Sequence, residues 1–169
     1  MSVNPFTAAH NEAVQNSVTD QRIAIDTEYN NVINDFTKSL MLNPLASTLT
    51  VFSQLQQQTV TFLRDAGVQV TKQSTRDGFV YTLDFANYVC LKDIQKKAKK
   101  ELDTLVSEQI DAMLNYYKEN RSTEMQFTYH NILHRATIKK LQNEYNMKVV
   151  EHCNTFDYSI SYCITLPQH

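Results

Sequence analysis

The chain has 169 residues, of which 42% are hydrophobic and 20% charged, with a net charge of -2. That is the composition of a soluble globular protein able to bury one ordinary core or two small ones, and no apolar run approaches the ~20 residues that a bilayer crossing needs. The near-neutral charge excludes a global positive field for nucleic acid or membrane, and the presence of only 2 glycines excludes phosphate-cradling loops and dinucleotide folds.

The N-terminus, "MSVNPFTAAHNEAVQ", has no basic flank before an apolar core, so no secretory signal is expected there. A helix is predicted over residues 9–42, where Val14, Val18, Ile25, Tyr29, Val32, Ile33, Phe36 and Leu40 recur at three- and four-residue steps. Asn43-Pro44 stops it, because a residue before proline is pushed out of the helical region. The stretch "LASTLT" then leads to a second helix over 51–66, closed by Gly67 in a left-handed cap. Beyond Gly67 the period changes to two. Val68 and Val70, then Phe79, Tyr81 and Leu83, predict a β-hairpin turning at Asp77-Gly78.

The same order follows again. A helix is predicted over 88–120 through Ile94, Ala98, Leu102, Leu105, Ile110, Met113, Leu114 and Tyr117, with "RSTEMQFTY" as the extended link. A helix starting at Thr128 or Tyr129 carries Ile132, Leu133, Ala136, Ile138 and Leu141. Met147 and Val149 then open a hairpin returning through Tyr158, Ile160, Tyr162 and Ile164. One offset of 79 carries Val68 to Met147, Val70 to Val149, Phe79 to Tyr158 and Tyr81 to Ile160, while the first helices align nearer 81. Under the shift of 79, Gly67 falls on Asn146 and Gly78 on Asp157, the two residue types that best tolerate positive φ after glycine.

The expected fold class is therefore α+β, with two tandem pseudo-repeats over 1–86 and 87–169, each a long helix, a short extended link, a helix and a hairpin. Units of this size have marginal cores alone, so the two are expected to pack as one globular body, with "STLT" and "MQFTY" as candidate third strands.

Candidate chemistry is sparse. His130 and His134 in "YHNILH" have the spacing of two ligands on one helix face, with His152 or Cys153 as a conceivable third, but the glutamate of a metalloprotease motif is missing and no metal is expected. Cys90, Cys153 and Cys163 form no CxxC pair. Cys153 and Cys163 lie on opposite strands of one hairpin and read as buried small apolar residues rather than a redox pair. No nucleophile-base group, catalytic residue or cofactor is predicted. "LKDIQKKAKKEL" concentrates Lys92, Lys96, Lys97, Lys99 and Lys100 on about two helical turns, a candidate nucleic-acid face diluted by Asp93, Glu101 and Asp103 and lacking aromatic residues for base stacking. A winged-helix reading of "ATIKKLQNEY" is disfavoured by the extended "MQFTY" before it.

Leu63, Gly67, Val68 and Val70 in the first half, and Leu141, Asn146, Met147, Val149, Tyr158, Ile160 and Ser161 in the second, form a helix-stop-strand pattern. It resembles a type of small protein found in large tailed bacteriophages, over nearly the whole chain and by structural pattern rather than letters. The second half departs from the type by losing the glycine, and its return strand lacks the usual tryptophan. The resemblance implies a virion or assembly product without catalytic residues.

The expected function is thus a non-enzymatic structural or assembly protein, capsid-, neck- or tail-associated, located in the virion or host cytoplasm. Its partners would be other virion or assembly proteins, with a homo-oligomer compatible and no membrane involved. Tyr81, Tyr158, Tyr162 and the N-terminal arm "MSVNPF" are the candidate partner contacts. The alternative is a nucleic-acid-binding or host-takeover protein using the Lys92 to Lys100 face.

Overall fold

The computed structural model describes residues 5–167, so residues 1–4 of the candidate N-terminal arm lie outside the described residues. Pro5 opens α1, where its missing N–H matters least. The elements in order are α1 (Pro5–Leu42), β1 (Thr48–Val51), α2 (Gln57–Asp65), β2 (Gln69–Thr75), β3 (Gly78–Asp84), α3 (Leu91–Asn120), β4 (Gln126–Tyr129), α4 (Arg135–Asn143), β5 (Lys148–Cys153) and β6 (Ile160–Thr165). The fold is α+β, with two three-stranded antiparallel sheets ordered β1-β3-β2 and β4-β6-β5. Contacts divide the chain into two compact units, Met1–Lys99 and Lys100–His169, and the division falls inside α3.

Both links join their sheets as third strands. "TLTV" is rich in β-branched residues and pairs with β3, and "QFTY" pairs with β6. Strand pairing therefore claims residues that helical periodicity assigned to helices. The second helix begins at Gln57 instead of residue 51, and the fourth at Arg135 instead of Thr128 or Tyr129. Each short helix then starts with help from the long helix before it. Glu28 Oε2 on α1 accepts the Gln56 N–H at 2.9 Å, and Gln109 Oε1 on α3 accepts the His134 N–H at 2.8 Å. These side chains satisfy donors that a helix start leaves unpaired, and the Glu28 carboxylate also faces the positive end of the helix dipole.

In the first sheet Leu83 lies between Leu49 and Val70; in the second Ile164 lies between Phe127 and Val149. The return strands therefore correspond at an offset of 81, which sets Tyr81 against Tyr162 instead of Ile160. The second hairpin has a longer tip, residues 154–159, and its left-handed residue is Tyr158 (φ 55°), not Asp157. Gly67 (φ 91°) and Asn146 (φ 53°) are both left-handed after their helices, as the spacing predicted.

The first core centres on Phe36 of α1, whose ring stacks on Phe85 at 3.9 Å, with Tyr88 edge-on to Phe85 at 5.6 Å. Burial and a 3.0 Å hydroxyl contact with Tyr29 push the Tyr88 phenol pKa upward. Ile94 and Ala98 of α3 belong to this core, which is why the first unit extends into α3. The second core gathers Met113, Phe127, Tyr129, Leu133, Leu141, Tyr162 and Ile164.

One buried hydroxyl distinguishes the two cores. Thr59 and Thr137 are both fully buried on the short helices. Thr137 Oγ1 donates to Gln109 Oε1 at 2.7 Å, whereas Thr59 Oγ1 has no partner among the described residues. Burying an unpaired hydroxyl is unfavourable, so Thr59→Val should stabilise the protein by about 1 kcal/mol, whereas Thr137→Val should destabilise it by about 1 kcal/mol. Urea-denaturation midpoints of the two variants check the opposite signs.

Candidate interaction surfaces

Of the three tyrosines expected at a contact face, Tyr81 and Tyr162 are core residues, 3% and 2% exposed. Their alternation points them inward under the long helices, and the Tyr162 hydroxyl accepts the Leu133 N–H at 3.3 Å. Only Tyr158 remains at the surface, on the tip between β5 and β6. There Phe156 is 96% and Tyr158 82% exposed.

Two local turns hold this tip. Asn154 Oδ1 accepts the Phe156 N–H, and Asp157 Oδ1 accepts both the N–H and the hydroxyl of Ser159, at 3.0 and 2.7 Å. Those donors draw the Asp157 carboxyl pKa below its usual range. Asn154 N–H bonds back to Ser159 O at 2.8 Å, closing the loop at its base. Two aromatic rings thus stand in solvent on a short, hydrogen-bonded loop. The sequence did not single out Phe156; the spacing of Asn154 and Asp157, each bonding the backbone two residues on, was the available signal.

Lys92, Lys96, Lys97, Lys99 and Lys100 are all exposed on α3. At about 100° per residue, Lys92, Lys96, Lys99 and Lys100 span roughly 100° of arc opposite the buried Ile94 and Ala98. His130 and His134 do not share a helix face, because His130 follows β4 in the connecting loop while His134 is the N-cap of α4, its Nδ1 accepting the Ala136 N–H at 3.2 Å. Among the described residues no group of three or more His, Cys, Asp or Glu is placed to hold a metal ion. Cys153 and Cys90 are exposed rather than buried, and Cys163 is half-buried, its Sγ receiving the Gln126 amide. Cys153 pairs across the sheet with Ile160 and Cys163 with Val150. That three-residue stagger of about 10 Å exceeds the reach of a disulfide.

A third surface is concave. Beside the second core lies a cavity of about 280 Å³ with an almost entirely apolar lining, including Met113, Leu114, Leu141, Tyr145, Met147 and Leu166. The corresponding flank of the first core is filled. Residues 87–89 cross the corner between α2 and β2, where the Val89 N–H bonds Ala66 O at 3.0 Å, and Tyr88, Leu91 and Ile94 pack inward behind it.

A fourth surface lies on α1. Every described side chain of α1 from Glu12 to Ala24 is exposed, among them Val14, Val18 and Ile23. Val18 and Ile25 also border an open groove with the half-exposed Phe62 of α2.

Among the described residues no helix is long and apolar enough to cross a membrane. No family model, no curated protein and no solved structure matches the chain.

The filled and open flanks also account for Gly67 giving way to Asn146 in the second unit. A Cβ on Gly67 would collide with the Asn87 carbonyl, whereas Asn146 is exposed and carries its side chain. Gly67→Asn should therefore destabilise the protein by about 2 kcal/mol or more, although asparagine tolerates positive φ. Asn146→Gly should stay within about 1 kcal/mol of the parent. Denaturant midpoints separate steric crowding from backbone strain, which alone would treat the two sites alike.

Proposed function

We propose that the chain is a non-catalytic assembly protein acting through protein–protein surfaces, a capsid-, neck- or tail-associated component of a large tailed bacteriophage. The observation that carries the assembly reading is the β5–β6 tip. A tyrosine in left-handed backbone costs about 1–2 kcal/mol, and an exposed phenylalanine beside it gains nothing in the isolated chain. Large aromatic rings on a pinned loop suit partner binding, since little side-chain freedom is lost on contact. The phage assignment rests on the helix-stop-strand pattern of Leu63, Gly67, Val68 and Val70, and of Leu141, Asn146, Met147 and Val149.

The chain is also read as a tandem duplication of one helix-strand-helix-hairpin unit. Matching hydrogen bonds support this. Phe85 N–H bonds Ser47 O as Leu166 N–H bonds Met125 O. The Arg64 side chain reaches Val70 O as the Gln142 side chain reaches Val149 O. Doubling a small unit supplies more surface for partners without a second gene.

The full chain should co-purify with assembled particles from infected cells. Replacing Phe156 and Tyr158 by serine should reduce its incorporation at least about tenfold, the scale of losing one hot-spot aromatic, while leaving thermal stability at or above the parent's. Absence of the parent chain from particles would reject the virion reading.

The exposed lysine arc on α3 favours a second reading, a nucleic-acid-binding or host-takeover protein. On that reading DNA affinity falls steeply with salt, and the triple change Lys92→Ala, Lys96→Ala and Lys99→Ala lowers the log-log salt slope by about 3. Fluorescence anisotropy over a salt series checks it; an unchanged slope would dismiss this face.

A further inference from the structure

The two cores differ in how they are closed. Around the first, Phe36, Leu63, Val68 and Phe85 form a wall that the chain itself covers with Tyr88, Leu91 and Ile94, the last two from the start of α3. Around the second, Tyr117, Leu141, Met147 and Leu166 form the same wall. Leu63 O receives Val68 N–H as Leu141 O receives Met147 N–H, and Phe85 and Leu166 make the matching bonds to Ser47 and Met125. This second wall borders the 280 Å³ cavity.

The first unit therefore shows what kind of element fills such a cavity. It is the leading half of a long helix, with Ile94 and Ala98 one turn apart, whose trailing half, with Ile110 and Met113, founds the next core. Among the described residues α1 has the same design. The trailing half of α1, from Ile25 to Leu40, contributes Val32, Phe36 and Leu40 to the first core, and the described side chains from Glu12 to Ala24 are exposed, with Val14 and Val18 one turn apart. Within the described residues of the two units, one thus presents an exposed leading stretch of helix and the other a core with an open flank.

We propose that the leading half of α1 of one copy docks into the open flank of the second core of another copy, head to tail. Val14 and Val18 enter the cavity beside Leu114, Tyr145 and Met147, as Ile94 packs beside the first wall. The occupant is a second copy of this chain because the complementary helix half is in the same molecule. The two surfaces are different, so the contact is heterologous and propagates into a ring or a filament. This deepens the assembly reading by naming a partner, and rests on it only for the premise that the chain works through surfaces.

Two broken variants of the full chain test it. Val18→Glu blocks the helix and keeps the cavity; Leu114→Glu blocks the cavity and keeps the helix. Both positions are substantially exposed, 62% and 43%, so folding should persist, as circular dichroism would show. In sedimentation velocity the parent should grow beyond a dimer between about 1 and 300 µM, the range expected of a modest interface. Each variant alone should sediment as a monomer, and an equimolar mixture should form a dimer and stop there. A parent that stays monomeric, single variants that assemble like the parent, or a mixture that remains monomeric would each overturn the proposal. If either variant loses its native spectrum, Val14→Glu and Tyr145→Glu carry the same two roles. Incorporation into particles through the β5–β6 tip is read in a separate assay, so a monomeric parent found in particles would reject head-to-tail docking alone.

Discussion

A three-stranded sheet beneath a single long helix cannot close its own core, and most of this structure follows from that constraint. The sheet hides one face under the long helix and the short helix covers part of the remainder, but the corner between short helix and hairpin stays open. The first unit closes the corner with the segment after β3. Phe85 stacks on Phe36, Tyr88 turns its edge to Phe85, and Ile94 and Ala98 extend the contact into α3. α3 is thereby required twice, as the cover of one core and the foundation of the next.

The same backbone problem receives different side-chain answers in the two units. At the left-handed position after the short helix, the first uses glycine because a neighbouring carbonyl leaves no room for a Cβ, and the second uses asparagine because the corner is unoccupied. At the start of the short helix, Glu28 contributes a charge and Gln109 a neutral acceptor. Gln109 also receives the buried Thr137 hydroxyl, whereas Thr59 has no such acceptor among the described residues and carries the desolvation penalty unrelieved. Identical strand order with divergent local chemistry means that backbone geometry limits these positions more tightly than side-chain identity does.

Periodicity made much of the fold legible and misled in identifiable places. The α+β class, both hairpins, the two short third strands and the left-handed Gly67 and Asn146 were readable, since each leaves a local mark in spacing or residue type. The starts of α2 and α4 were not, because Val51 and Tyr129 suit a helical stripe as well as a strand, and only pairing with β3 and β6 decides. Tyr81 and Tyr162 were assigned outward because tyrosine is amphipathic, yet their alternation with Leu83 and Ile164 already placed them on the buried face. The second hairpin's register slipped by two residues because its tip contains no glycine to mark the turn. The open flank beside Met113 and Leu166 was invisible, since a missing cover leaves no trace in the residues it would have covered.

The exposed apolar side chains contribute little to either core, and where they sit supports the proposal of surfaces that meet other molecules. Scattered single exposed hydrophobic residues are ordinary, but here Phe156 and Tyr158 share one tip, Val14 and Val18 share one helix face, and Tyr145 and Leu114 border one cavity. At the tip the backbone is also strained at Tyr158, where glycine would remove the strain and asparagine lessen it. A chain under selection for stability alone would relax that residue and trim those rings, because neither contributes to a core. Strain and exposed aromatic area coincide on a loop held by its own hydrogen bonds, which supports the proposal that the cost is recovered in a complex.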